Sequence, residues 1–150
     1  MIDVVGFRYC RLGTANLEET VKFATEMIGL EVVGRENGFV YMRGDDRDHN
    51  ICYFDGDPMD HTLGLELAGF DELAGAESAL SAAGLDVYRG TEEEAAARRC
   101  MGYINFKDPS GNSIDLTVRP FAAGRRYFPG RDAGIDVFSH IGLCVTDPRE

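Results

Sequence analysis

Asp108-Pro109-Ser110-Gly111-Asn112-Ser113-Ile114-Asp115-Leu116 reads as a tight turn running directly into a strand. Pro109 fixes its own φ and Gly111 permits a positive one, so the chain reverses here. The strand beyond, Ser113–Val118, is then aimed to project the Asp115 carboxylate towards a cleft.

Upstream of this turn lie strands near Leu85–Arg89 and Cys100–Phe106, a helix over Asp71–Ala83 stopped by Gly84, and a strand over His61–Leu67. In that strand Leu63, Leu65 and Leu67 alternate with Thr62, Gly64 and Glu66, so one face packs on a helix while the other opens towards the cleft. The same order occurs earlier. A strand over Val4–Leu12 leads to a helix with Asn16 as N-cap, Glu19 completing an N-x-x-E box, and Leu17, Val21, Ala24 and Ile28 on one stripe. Gly29 stops it, and strands follow at Leu30–Arg35, Phe39–Arg43 and Asn50–Phe54, separated by the turn-prone Asn37-Gly38 and the charged loop Gly44–Asp48. The repeat of about fifty residues is too long for a solenoid and the copy number too low for a propeller. The expectation is an α+β fold: paired βαβββ modules, residues 4–56 and 60–118, forming a curved, partly open mixed sheet around a cleft.

With 150 residues the chain has room for one compact domain of this kind. Its net charge is −11, and Lys22 and Lys107 are its only lysines, a balance that repels phosphate backbones and anionic lipid heads. No nucleic-acid partner and no membrane partner are expected. The basic cluster Arg119, Arg125, Arg126 and Arg131 reads as a salt-bridged connector. Cys10, Cys52, Cys100 and Cys144 lie far apart with no zinc spacing, and three of them sit in apolar strand contexts, which suits a reducing cytoplasm. The N-terminus lacks the pattern of a secretory signal, and nothing matches a nucleophile elbow or a phosphate-binding loop.

Residues 119–138 form a connector rich in Gly, Arg and Pro. After it, Ser139-His140-Ile141-Gly142-Leu143-Cys144-Val145-Thr146-Asp147-Pro148 repeats the opening pattern of Tyr9-Cys10-Arg11-Leu12-Gly13-Thr14-Ala15-Asn16. Residues 139–150 are therefore expected to be the first strand of a second, truncated domain.

Asn16-Leu17-Glu18-Glu19 with Phe23 and Gly29-Leu30, Gly84-Leu85-Asp86-Val87, and the Asp108–Leu116 turn and strand together resemble the vicinal-oxygen-chelate superfamily of glyoxalases, bleomycin-resistance proteins and extradiol dioxygenases. The resemblance implies the glyoxalase-like fold. Arg43-Gly44-Asp45-Asp46-Arg47-Asp48-His49 resembles the first domain of two-domain extradiol dioxygenases, as does the connector followed by Ser139-His140. In such enzymes the resemblance implies a second domain that carries Fe(II) or Mn(II) on two His and one carboxylate, with open positions for a catecholate and dioxygen. His140 falls where the first of those metal ligands would be.

Mapped onto this sequence, the superfamily's metal-facing positions are Tyr9, Cys52, Thr62 and Asp115, a set poor in hard ligands for a divalent ion. The expectation is that no metal or other cofactor is held by this chain, and that these four residues line a cleft with a substrate-binding or packing role. Asp115 is left open between a vestigial ligand and a partner for an arginine such as Arg8 or Arg11. His49 beside Asp48 reads as a hydrogen-bonded residue at a strand entry, and His61 as a partly exposed side chain one residue out of register. Glu92-Glu93-Glu94 through Arg98-Arg99 reads as a solvated helical turn whose acids and bases suit its dipole.

The functional expectation is the N-terminal, non-catalytic domain of an extradiol catechol dioxygenase of aromatic degradation, inactive alone. Its partners would be a small aromatic diol, met through the missing second domain, and further copies of itself in a homo-oligomer. The alternative is a stand-alone glyoxalase or bleomycin-resistance-like protein that binds a small molecule.

Overall fold

The turn at residues 108–112 forms as its residues dictate. Asp108 Oδ1 accepts from the Ser110 amide (2.9 Å) and the Asn112 amide (2.8 Å), and its Oδ2 accepts from Asn112 Nδ2 (2.8 Å). Gly111 takes φ 88°, where a side chain would be strained. The bond from the Asn112 side chain is the main influence on Asp108; burial opposes it, the amides of Asn112, Ser110 and Gly111 add to it, and the carboxyl is held below the ordinary range.

The structure, a computed structural model, describes residues 1–129, 135 and 137–146. Arg131 of the basic cluster and Asp147-Pro148 of the terminal pattern lie outside the described residues. Among the described residues, eight strands and three α-helices run in the order β1 (Gly6–Thr14), α1 (Leu17–Phe23), β2 (Glu31–Glu36), β3 (Phe39–Arg43), β4 (Ile51–Asp55), β5 (His61–Leu67), α2 (Phe70–Ala82), β6 (Tyr88–Arg89), α3 (Glu92–Ala96), β7 (Cys100–Lys107) and β8 (Ser113–Pro120). This is the βαβββ order twice, with α3 inserted before β7.

Two compact units divide the chain. The first comprises Arg8–His61 with Ala122–Ser139; the second comprises Met1–Phe7, Thr62–Phe121 and the described residues from His140. The division differs from a simple cut between modules, since the connector packs with the first unit and the N-terminal residues with the second. Val5 donates its amide to the Glu66 carbonyl at 2.8 Å.

Strand order in the first unit is β2-β3-β4-β1, with β1 and β4 parallel and the other pairs antiparallel. The second unit repeats it as β6-β7-β8-β5, with β5 and β8 parallel. Parallel neighbours require a crossover, which the helix supplies, so each sheet carries its helix on one face.

In the first unit that face is apolar: Val21 and Ala24 of the helical segment meet Leu30, Val40 and Met42, with Leu17, Ile28, Val32, Ile51 and Tyr53 around them. Asn16 Oδ1 caps α1 by accepting the Glu19 amide at 3.3 Å. Its last turn, Ala24–Ile28, widens to a π-helical turn that ends at Gly29 with φ 89°. Asn37 (φ 51°) and Gly38 (φ 82°) are both left-handed, the requirement of a type I′ hairpin between β2 and β3. In the second unit Leu63 and Leu67 of β5, with Ile104, Ile114, Leu116 and Val118, are buried together with Leu73 and Ala76 of α2.

One expectation is corrected. Only Tyr88 and Arg89 of the expected strand Leu85–Arg89 pair, with Asn105 and Ile104, because this edge element has a single neighbour. Residues 139–146 have no regular secondary structure; Asn112 Nδ2 donates to the Cys144 carbonyl (2.9 Å) and the Thr146 amide to Ser110 Oγ (2.9 Å).

Gly13 passes the turn after β4 so closely that a Cβ there would sit 2.1 Å from the Asp57 carbonyl oxygen. Gly13→Ala is expected to lower stability by about 1–3 kcal/mol, read from the urea midpoint. The depressed Asp108 contributes stability that is complete above the unfolded carboxyl value of about 3.9 and lost as pH falls through its lower folded value. Melting temperature should therefore fall with acid below about pH 4, and Asp108→Asn should flatten that limb while costing about 1 kcal/mol at neutral pH.

Candidate functional site

Each sheet has a second face, turned away from its helix, and the chemistry-bearing side chains collect there. In the first unit Arg11 of β1, Cys52 of β4 and Tyr41 of β3 are direct cross-strand neighbours. Tyr9, two residues before Arg11, shares their face. Tyr9 stacks on His49 with ring centres 5.2 Å apart and planes 18° apart, and Tyr41 meets the same ring edge-on at 5.3 Å. The Arg11 guanidinium lies 4.5 Å from the centre of the Phe39 ring. Tyr9, Tyr41, Cys52 and His49 are all buried.

His49 thus differs from its sequence reading in depth. Its Nδ1 does approach Asp48 Oδ2 (3.3 Å), but the ring is sandwiched in the interior, a placement that only the fold of the Arg43–Asn50 loop could reveal. Arg43 was also not anticipated as interior. Fully buried at the end of β3, it donates Nε to Glu31 Oε2 at 2.8 Å and lies 5.5 Å from the Tyr127 ring centre. Burial pushes the Glu31 carboxyl up, but the bonds from Arg43 and Arg125 outweigh it and leave the group below the ordinary range.

The second unit carries a polar face. Thr62 and Gly64 of β5 lie beside Ser113 and Asp115 of β8, and Asn105 of β7 lies beside Asp115. Thr62 Oγ1 donates to Ser113 Oγ at 3.2 Å, and Asn105 Nδ2 spans Ser113 Oγ (2.9 Å) and Asp115 Oδ1 (2.8 Å). Thr62 and Asp115 are thereby linked through two intermediates. Asp115 is fully buried, and its Oδ2 accepts from Arg98 Nε at 2.7 Å.

The arginine within this unit that answers Asp115 is Arg98, which the sequence reading assigned to the dipole of a solvated helical turn. Two residues past α3, it has turned inward, its guanidinium 3.8 Å from the Tyr103 ring centre. Burial pushes the Tyr103 hydroxyl up to about 12, with Arg98 opposing, so Tyr103 holds its proton at neutral pH. The Thr91–Glu94 capping box sets the start of α3, and from there the spacing delivers Arg98: Thr91 Oγ1 accepts the Glu94 amide (3.2 Å) while Glu94 Oε2 accepts the Thr91 amide (2.8 Å). Thr91-x-x-Glu94 was the sequence signal available for that placement.

Of the four cleft candidates, Tyr9 and Cys52 fall in the first unit and Thr62 and Asp115 in the second. They do not fit a divalent metal: Asp115 has one oxygen on Arg98 and the other on Asn105, and the Thr62 hydroxyl donates to Ser113. Burial pushes the neighbouring Cys10 thiol up to about 12, so it supplies no thiolate at neutral pH. Among the described residues no group of three or more His, Cys, Asp or Glu is arranged to hold a metal ion. His61 is half-buried with Nδ1 2.9 Å from the Met59 carbonyl oxygen, and His140 is exposed.

The sequence model of the Glyoxalase/Bleomycin resistance protein/Dioxygenase superfamily matches residues 6–116. The chain belongs to this superfamily. Its α+β, glyoxalase-like fold is the fold of the family, and the twofold βαβββ order is its frame. Among curated relatives, the chain is 30% identical over 156 residues to a biphenyl-2,3-diol 1,2-dioxygenase of Sphingomonas paucimobilis, covering 98% of this chain and 52% of the relative. It is 30% identical over 161 residues to an iron-dependent extradiol dioxygenase of Rhodococcus jostii (strain RHA1), covering 97% and 51%. Among solved structures, a halotolerant catechol dioxygenase superposes with TM-score 0.79 at 26% identity, covering 88% of this chain and 45% of the other. A catechol 2,3-dioxygenase gives 0.78 at 29% identity, covering 86% and 46%. The chain spans about half the length of the curated relatives it matches, and it resembles one half of such an enzyme. No helix among the described residues is long and apolar enough to cross a membrane.

Removing one partner of a buried ion pair leaves the other charge uncompensated. Arg98→Ala is expected to cost about 3 kcal/mol, whereas Arg98→Met combined with Asp115→Asn, which removes both charges and keeps the Asn105 contact, should recover most of the loss. A double-mutant cycle by urea denaturation reads the difference.

Proposed function

We propose that this chain is the N-terminal, non-catalytic half of an extradiol dioxygenase that cleaves catechol-type aromatic diols. The observation that carries the reading is the half-length match to several such enzymes, together with the opening pattern that begins again at Ser139-His140. In this reading residues 4–118 are the superfamily unit, 119–138 the connector, and 139–150 the first strand of the catalytic half. His140 is then the first ligand of the parent's Fe(II) or Mn(II), which supplies the redox-active Lewis acid for ring opening.

The chain's own residues would serve as scaffold. Tyr9 and Cys52 fill their sheet face by packing, and Thr62 and Asp115 belong to a hydrogen-bonded chain whose one full charge is balanced by Arg98. The buried thiols Cys10, Cys52 and Cys100 suit a reducing cytoplasm. Substrate would be met through the catalytic half, and copies of the whole protein would assemble into a homo-oligomer.

Residues 1–150 supplied with Fe(II), oxygen and a catechol should show no ring-cleavage absorbance; turnover by this chain alone would overturn the reading. The intact mass of the natural protein in its source cells, read with an antibody raised to this chain, should be near twice 16.5 kDa. A species at 16.5 kDa that binds a cationic aromatic compound tightly by calorimetry would instead support a stand-alone binding module.

A further inference from the structure

The loop Arg43–Asn50 is built more firmly than a solvated turn. Asn50 Oδ1 accepts the Gly44 amide at 3.2 Å, the Asn50 amide donates to the Met42 carbonyl at 3.0 Å, and His49 sits between two tyrosine rings beneath it. Asp45 Oδ1 accepts the Arg47 amide at 2.9 Å, and its other oxygen pairs with the Arg47 guanidinium. Loop closure alone does not call for the groups that remain on its outer side.

Those groups meet the connector. Arg47 and Ala122 form an antiparallel bridge. Arg43 donates Nη1 to the Arg125 carbonyl at 3.3 Å, and the Arg125 side chain pairs with Glu31. The Tyr127 amide donates to Asp46 Oδ1 at 2.7 Å, its ring is buried beside Arg43, and its hydroxyl donates to the Gly29 carbonyl at 3.5 Å. The Phe138 amide donates to Asp45 Oδ2 at 3.2 Å, and Arg47 donates to the Phe138 carbonyl at 3.4 Å. Two adjacent carboxylates thus take two amides of the connector, and one buried arginine takes a carbonyl and an aromatic ring.

We infer that the Arg43–Asn50 loop is a docking site for two stretches of the chain's own connector, Ala122–Tyr127 and Phe138, which it holds as fixed strap points instead of leaving them as a flexible linker. The recognition is for a peptide backbone presenting amides to paired carboxylates, with an aromatic anchor two residues after an arginine. Carboxylate-to-amide bonds are charge-assisted, and the anchor covers an otherwise costly buried guanidinium, so each side stabilises the other. The inference goes beyond the proposed function and does not depend on it.

Amide exchange of the isotope-labelled full chain, followed by NMR, tests it. The Tyr127 and Phe138 amides should exchange at least about tenfold more slowly than in a free peptide of residues 122–138. Asp46→Ala should release Tyr127 and Asp45→Ala should release Phe138, each towards the free-peptide rate, while the Val40 and Met42 amides of β3 keep their protection. Free-peptide rates at both amides in the unaltered chain would overturn the inference. If an aspartate variant also loosened β3, Tyr127→Ala decides. That substitution removes only the anchor: release of Phe138 with β3 protected supports the strap, and unchanged Phe138 exchange refutes it.

Discussion

The parallel pairing of the first and last strand in each module is the constraint on which the rest of the molecule depends. Because β1 lies beside β4 and β5 beside β8 in the same direction, the intervening chain must cross over one face of the sheet. The crossover helix takes that face and makes it apolar. Everything polar that the sheet carries is forced to the other side, where water cannot satisfy it freely and side chains must do so. Arg98 on Asp115, Asn105 on Asp115, and the ring sandwich around His49 are answers to that single demand.

The same constraint explains how a superfamily whose members include an iron-dependent extradiol dioxygenase can include a unit that meets its buried carboxylate with an arginine. A carboxylate at the sheet's polar face needs a cation or donors, and either a metal or a guanidinium meets the need. Here Arg98 supplies the charge, and its guanidinium lies over the Tyr103 ring. Arg98 thereby takes one of the two carboxylate oxygens of Asp115, and Asn105 takes the other.

Local patterns made the repeated modules legible. The Asn16 N-cap, the Asn37-Gly38 hairpin, the Leu63/Leu65/Leu67 alternation and the Asp108–Asn112 turn are each decided within a few residues, and each formed as read, although the Asn16 amide turns to Thr14 Oγ1 and not to Glu19. The site was less legible because its pairings join residues whose proximity is set by the fold. Arg98 is 17 residues from Asp115 and Arg43 is 82 from Arg125. A charged residue gives no local sign of whether it faces water or a partner, so Arg98 after a helical turn reads as solvated and nothing around Arg43 announces its burial. The bonds that Tyr127 and Phe138 of the connector make were not legible for a related reason, since they come from carboxylates on a distant loop.

The half-buried Arg98 and the buried Arg43 each find a carboxylate in their own unit, Asp115 in one and Glu31 in the other. In a protein built by duplication this has an evolutionary meaning. Each copy carries its own counter-charge in its own stretch of gene, so a mutation that alters the polar face of one copy can be compensated within that copy. One module can then drift to a structural role while its sister keeps or changes its chemistry, without the two having to change in step.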